Sequence, residues 1–143
     1  MEIDELRSKM SPDMAEHADR LLDMYTAPYA RFLGLEVVSI ERDRAECELL
    51  LRPELMNSMG RGHGAAVYGL IDHTFAIACN LLHDSTGQST TVSFYRPAQG
   101  RLRCVAVPVN RSRSLEVYDV RVYNEDGKLV ASAMCTAFVL RRE

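Results

Sequence analysis

Ala65-Ala66-Val67-Tyr68-Gly69-Leu70-Ile71-Asp72-His73-Thr74-Phe75-Ala76-Ile77-Ala78-Cys79-Asn80-Leu81-Leu82 is the longest apolar segment of the chain, and its reading decides the fold. It has no proline and no run of β-branched residues, so it reads as a helix over Ala65–Leu82. Val67, Leu70, Ile71, Phe75, Ile77, Ala78 and Leu81 make it apolar nearly all round. Such a helix belongs inside a core rather than on a surface. Ala65, Gly69, Asp72 and Ala76 form a stripe of small residues that lets another backbone come close.

Upstream lies a glycine-rich loop, LMNSMGRGHG over residues 55–64. Before it, Leu35–Ile40 and Arg44–Leu51 read as a β-hairpin, the second strand alternating through Ala45, Cys47, Leu49 and Leu51. Pro12 to about Phe32 reads as one helical stretch with Ser11 as cap, Met14, Ala18, Leu21, Leu22, Tyr25 and Tyr29 on one apolar face, and Gly34 as its end. The first ten residues read as loose.

Downstream, strands are expected over Ser89–Tyr95, Leu102–Val109, Leu115–Tyr123 and Leu129–Leu140. Their turns are short, and Asp126-Gly127 is a strong hairpin signal. Short turns between consecutive strands predict an antiparallel meander. Helix, two strands, buried helix and four strands make an α+β chain in which a sheet curves around the long helix, with an extra N-terminal helix. That is the hotdog arrangement. No repeat or linker divides the chain, so 1–143 is expected to be a single domain with residues 1–33 as a helical extension.

Composition narrows the function. The 143 residues carry a net charge of -3, which does not suggest nucleic acid. Arg96, Arg101, Arg103, Arg111 and Arg113 nevertheless fall in one stretch, either as a solvated strand face or toward an anionic ligand such as the phosphates of coenzyme A. Cys47, Cys79, Cys104 and Cys135 are far apart without a CxxC pair and read as small core residues. The start, MEIDELRSKM, is too polar for a signal peptide, and no apolar run is long enough to span a bilayer. The expectation is a cytoplasmic protein without membrane or nucleic-acid partners.

The candidate chemistry gathers around the helix. Asp72 is a carboxylate among apolar neighbours, so it is either paired structurally or functional. Desolvation would raise its pKa and fit it as a general base, or it can attack a carbonyl itself. His63-Gly64 stands at the helix entry, where free N–H groups can hold an oxyanion. His63 reads rather as a capping or packing histidine, since nothing marks it as the base. Asn57 is either a turn former or a group that orients water or a carbonyl. Thr90 and Thr91 offer hydroxyls on the following strand, or merely β propensity. His17, His63, His73 and His83 lack HExxH spacing, and no GxSxG, Walker or GxGxxG motif is present, so no metal or redox cofactor is expected.

Asn57, His63-Gly64 six residues on, and Asp72 nine residues after His63 in Leu-Ile-Asp-His-Thr-Phe resemble the hotdog acyl-CoA thioesterases of the phenylacetate pathway, the PaaI type. Ser93-Phe94-Tyr95-Arg96-Pro97-Ala98, Val117-Tyr118-Asp119-Val120 and Gly127-Lys128-Leu129-Val130-Ala131 extend the resemblance to about residues 35–140. It implies hydrolysis of an acyl- or aroyl-CoA to free acid and CoA. Asp72 would be base or nucleophile, and the Gly64 amide would polarise the thioester carbonyl. Asn57 would place water or carbonyl, His63 would support the loop, and Thr90 or Thr91 would assist. CoA would enter as part of the substrate, with Arg96, Arg111 and Arg113 as candidates for its phosphates. The family's site lies between two subunits, and its dimers often pair into tetramers. The family often has His-Gly-Gly where this chain has His63-Gly64-Ala65. The rival readings are a hotdog enoyl-CoA hydratase or dehydratase and a non-catalytic acyl-CoA-binding module.

Overall fold

A computed structural model describes residues 1–142. The first ten residues are ordered, contrary to expectation: Ile3–Ser8 form a helix, α1, because Leu6 is a fully buried anchor. The long helical stretch is divided into a 3₁₀ turn over Pro12–His17, α2 over Ala18–Tyr25 and α3 over Pro28–Leu33. Pro28 causes the second break, since proline disfavours helical backbone at Ala27 and lacks the N–H a continuing helix needs. Ser11 precedes the first turn but turns its hydroxyl to Asp13 rather than to a helix amide.

The hairpin is β1 (Glu36–Glu41) and β2 (Arg44–Leu50), and the central helix is α4 (Gly64–Asn80). Four strands follow: β3 (His83–Phe94), β4 (Arg101–Arg111), β5 (Leu115–Tyr123) and β6 (Leu129–Arg142). They form one six-stranded antiparallel sheet in the order β1-β2-β4-β5-β6-β3. The expected meander holds for β4-β5-β6 but not for β3, which leaves its sequence neighbour β4 and pairs with β6 at the sheet edge. The link from Tyr95 to Gly100 crosses the strand ends, tied down where the Tyr95 amide donates to the Val130 carbonyl at 2.8 Å. Register shifts in β1, β3 and β4 mark the bulges that curve the sheet.

The core lies between the concave face of the sheet and α4, and takes in all four cysteines. Burial pushes the Cys47 thiol up to about 12. The two sheet edges differ. Outside β1, the Ile40 amide donates to the Lys9 carbonyl and the Ser11 amide to the Ile40 carbonyl, so the N-terminal segment covers that edge. Outside β3, no strand pairs among the described residues.

The small-residue stripe of α4 does admit a neighbour. A Cβ on Gly69 would lie 3.1 Å from the Tyr29 hydroxyl and 3.3 Å from Leu33, so glycine lets α3 dock there. The expectation that α4 is buried all round is corrected: Ala65, Tyr68 and Asp72 remain exposed along one side. The sheet wraps one flank of α4 and the N-terminal helices cover another, leaving a strip open between α3 and β3.

Candidate active site

Asp72 lies on that open strip. Among the described residues its carboxylate has no hydrogen-bond or ion-pair partner. Partial desolvation by the surrounding helix and strand holds its pKa above the usual carboxylate value, and the His73 imidazole pulls weakly the other way. The carboxylate is exposed in the single chain yet partly enclosed, so its ionised form is a stronger proton acceptor than that of an ordinary aspartate. His73 itself points away, with Nε2 3.1 Å from the Met24 carbonyl on α2.

The entry of α4 is built by its loop. Asn57 Oδ1 accepts from the amides of Met59 at 2.9 Å and Arg61 at 3.1 Å. Its side-chain oxygen is thereby spent on loop geometry, while its Nδ2 donates to no group among the described residues. Gly62 seats the loop: its amide donates to the Ala98 carbonyl at 2.7 Å, and a Cβ there would lie 2.6 Å from Leu51. His63 is the N-cap of α4, its Nδ1 accepting from the Ala65 amide at 3.0 Å. The Ala66 and Val67 amides turn back to the His63 carbonyl. The Gly64 N–H alone in this first turn is without an acceptor among the described residues, and it stands at the positive end of the helix. The nearest atom to a Cβ built on Gly64 is Phe94 Cζ on β3, at 3.8 Å.

The strand hydroxyls separate. Thr90 pairs with buried Cys135 on the concave face; burial pushes the Cys135 thiol up to about 11, the Thr90 hydroxyl pulls it down, and the Asp72 charge pushes it up. Thr91 pairs with exposed Met134 and lines a hollow of about 350 Å³ on the convex face with Ser93, Tyr95, Asp119 and Arg121. Thr90 thus shares the face of Asp72, and Thr91 does not.

The arginines also part company. Arg96 donates to the Leu129 carbonyl at 2.6 Å, two residues after Phe94. Arg111 pairs with Asp43, which occupies left-handed backbone (φ 62°) and is buried, so that guanidinium answers a structural charge. Arg101 pairs with Glu48 and Arg103 with Glu46. Arg111 ends β4 ten residues after Arg101 begins it, about 30 Å away on an extended strand, so closeness in sequence does not make one patch. Arg113 follows in the turn to β5, at the same far end.

Two features escape sequence reading. Arg52 donates to the carbonyls of Phe32 and Leu33, the latter at 2.7 Å, fixing the end of α3. His83 and Glu116 form a buried pair, Nε2 to Oε1 3.2 Å. Each joins residues far apart in sequence, and no local spacing announces it. Phe75 is core, packed edge-on to Tyr118. Among the described residues no three His, Cys, Asp or Glu side chains converge as metal ligands. No helix is long and apolar enough to cross a membrane.

Comparison with known proteins fits this geometry. The family described as "Domain of unknown function (DUF4442)" matches residues 20–139. A putative esterase of Deinococcus radiodurans is 32% identical over 118 residues, 80% of each chain. Acyl-coenzyme A thioesterase PaaI of Escherichia coli is 28% identical over 105 residues, 71% of this chain and 75% of that one. The structure of a substituted form of the phenylacetic acid degradation protein PaaI from Thermus thermophilus is 34% identical, with a TM-score of 0.77 over 80% of this chain and 100% of that one. The structure of E. coli PaaI, at 22% identity, shares the fold with a TM-score of 0.83 over 94% and 96% of the two chains. The sheet curved around α4 and these relatives together show that the chain belongs to the DUF4442 family and to the hotdog-fold, PaaI-type thioesterases, and that it is a thioester hydrolase.

Proposed function

We propose that the chain hydrolyses an acyl- or aroyl-CoA thioester in a site shared by two copies. The observation that carries this is the Asp72 carboxylate, which lies on the open strip of α4, partly desolvated and without a partner among the described residues. The Gly64 N–H polarises the thioester carbonyl, and Asp72 either takes the proton of the attacking water or adds to the carbonyl itself.

The two groups cannot serve one carbonyl within one chain. Gly64 and Asp72 are eight residues apart on α4, about 12 Å along the axis, further than an aspartate side chain reaches. A second copy laid antiparallel along the open strip brings Asp72 of the partner subunit to the Gly64 entry, and two-fold symmetry makes two such sites. The uncovered edge of β3, beside the same strip, supports this pairing. The Asn57 Nδ2 and the Thr90 hydroxyl are the remaining polar groups that can hold water or carbonyl. Arg96, just past Phe94, is the arginine best placed for a CoA phosphate. Dimers of this kind are expected to pair into a homotetramer.

The test uses complementation. Gly64→Pro removes one N–H at the first helical position, where proline is tolerated and His63 already has extended backbone (φ -62°, ψ 139°). It is expected to lower kcat by about 10²–10³. Gly64→Ala keeps the N–H and more of the activity. Asp72→Asn is expected to be nearly inactive. Mixing the two inactive proteins under exchange should restore about a quarter of parental thiol release, because half the dimers are mixed and each has one intact site. No recovery on verified exchange would sink the shared site. Thiol release also separates hydrolysis from hydration, since crotonyl-CoA hydrated without freeing thiol would mark a hydratase.

A further inference from the structure

Of the residues of α4, only Gly64, Ala65, Tyr68 and Asp72 are exposed. They recur at one-turn spacing and form a single row down the open strip. Three of the four are small or polar. Tyr68 is the exception, a large aromatic side chain left 38% exposed in the middle of the row. It stands one turn after Gly64 and one turn before Asp72, about 6 Å along the axis from each.

That midpoint has a consequence under two-fold symmetry. Suppose Gly64 of one chain faces Asp72 of the partner subunit on antiparallel helices. Counting inward one residue at a time from both ends, the two counts meet at position 68. Tyr68 is therefore the residue that faces its own copy. We propose that the exposed row of α4 docks on the same row of a second copy of this chain, with Tyr68 packed against its symmetry mate on the two-fold axis, and that this contact sets the register that brings Gly64 to the partner subunit's Asp72. The proposal rests on the shared-site reading of those two residues.

Three observations support it. A residue on a two-fold axis meets itself, so a charge there would meet a like charge, whereas a tyrosine meets a ring it can stack on. The row puts its one large side chain at that place and its one carboxylate a turn away, which keeps the two Asp72 charges about 12 Å apart. Gly64 and Ala65 carry almost no side chain, so the two helices can approach closely and the ring is the knob between them. Tyrosines enclosed in this way are among the residues that dominate interfaces. Finally, β3 runs beside the row with its outer edge unpaired among the described residues, and the same two-fold turns the two β3 edges toward each other. The pair of rings closes the middle of the strip, so the sites at its two ends are separate compartments.

The experiment places a cysteine on the axis. Antiparallel helices packed about 8–10 Å apart hold facing Cα atoms about 3.5–5.5 Å apart, which overlaps the span of a disulfide. The full chain carrying Tyr68→Cys, treated with the thiol oxidant diamide, is expected to run as a covalent dimer without reductant and as a monomer with it. The cysteines of the parent are buried, so it is expected to stay monomeric on the same gel. Ala65→Cys is the control: residue 65 is also exposed, but its two copies lie about 9 Å apart along the axes, and cross-linking is expected to be at least about tenfold slower. Tyr68→Asp sets two carboxylates face to face and is expected to give monomers by light scattering, with thiol release down about 10²-fold. Tyr68→Phe keeps the ring and is expected to keep the dimer and, within about twofold, the rate. A Tyr68→Cys chain that cross-links no faster than Ala65→Cys overturns the axis, as does a Tyr68→Asp chain that remains an active dimer. Recovery of thiol release on mixing Gly64→Pro with Asp72→Asn would in that case leave the shared site standing. Fast cross-linking at position 68 in a chain whose parent frees no thiol from any acyl-CoA upholds the axis and overturns the hydrolytic reading alone.

Discussion

Asp72 and Glu116 are both carboxylates set against the core, and their surroundings could hardly differ more. Glu116 is fully buried, with His83 Nε2 at 3.2 Å and the Tyr118 hydroxyl at 3.4 Å. Asp72 sits on the open strip of α4 with no partner among the described residues, its pKa raised by desolvation. A buried carboxylate held by two donors on one oxygen is kept in place for the fold. One that is desolvated and left without a partner lowers stability for no structural return, and such groups gather at functional sites. On the proposed mechanism, helix-borne Asp72 serves function and strand-borne Glu116 serves structure.

The comparison breaks first on activity. Asp72→Asn keeps the shape and removes the base or nucleophile, so kcat is expected to fall about 10³-fold, within the range for loss of a positioned proton acceptor. Glu116→Gln is expected to leave kcat of the folded enzyme close to the parent's. If single-turnover kinetics show Glu116→Gln to be the slower of the two, the division is reversed.

Stability should show the opposite ranking. Glu116→Ala strips His83 and Tyr118 of a buried partner, at a cost of about 3 kcal/mol. For a chain of this length that lowers Tm by about 10 °C. Asp72→Asn is expected to melt no lower than the parent near neutral pH. Paired thermal melts of the two variants settle the matter; equal losses would mean that Asp72 is a structural residue after all.

The loop before α4 gives a third, smaller effect. Asn57→Ala frees the Met59 and Arg61 amides and removes the Nδ2 donor together, and is expected to lower kcat/KM about tenfold, the worth of one or two ordinary hydrogen bonds. Asn57→Asp keeps an oxygen for both amides, loses the donor and adds a negative charge. Full recovery in Asn57→Asp would confine Asn57 to holding the loop, whereas a persistent loss would place its Nδ2 at the substrate.

The extent to which the sequence foretold this molecule follows from how local each signal is. The α4 helix and β5 were readable because their periodicity is carried by adjacent residues, and the buried cysteines followed from spacing and composition. The break at Ala27-Pro28 was also written in the chain, but the apolar face of Met14 to Tyr29 outweighed it. The departure of β3 from β4 to β6 was not readable, since a short connection fixes proximity without fixing pairing partners. Around the site, Asp72 stood out as a charge in an apolar run, and His63 emerged as the cap of α4. The separation of Thr90 from Thr91 needed the register against Cys135 and Met134. The scattered roles of Arg96, Arg111 and Arg113 needed the length of β4. Arg52 on α3 and His83 on Glu116 are pairings between distant residues, which no local pattern carries.

The smallest effect is a dependence of stability on pH, and its sign is specific. The folded state holds the Asp72 pKa above its ordinary value of 3.8, so between the two values the folded chain binds more protons than the unfolded one. Stability therefore falls as pH rises through that interval, and the cost is fully present above the folded pKa. Removing the charge lifts the cost, so Asp72→Asn should be more stable than the parent at neutral pH, and the gap should close as the solution is acidified below the ordinary carboxylate value. Solvent access to Asp72 screens the effect and keeps it small. The same titration governs catalysis in reverse: kcat/KM should rise from acid toward neutral pH with a midpoint above that of an ordinary aspartate, because the ionised form is the reactive one. Denaturant melts across pH would detect the first limb and initial rates the second. A gap between variant and parent that widens toward acid would reverse the sign and assign Asp72 an ion pair that stabilises its charge.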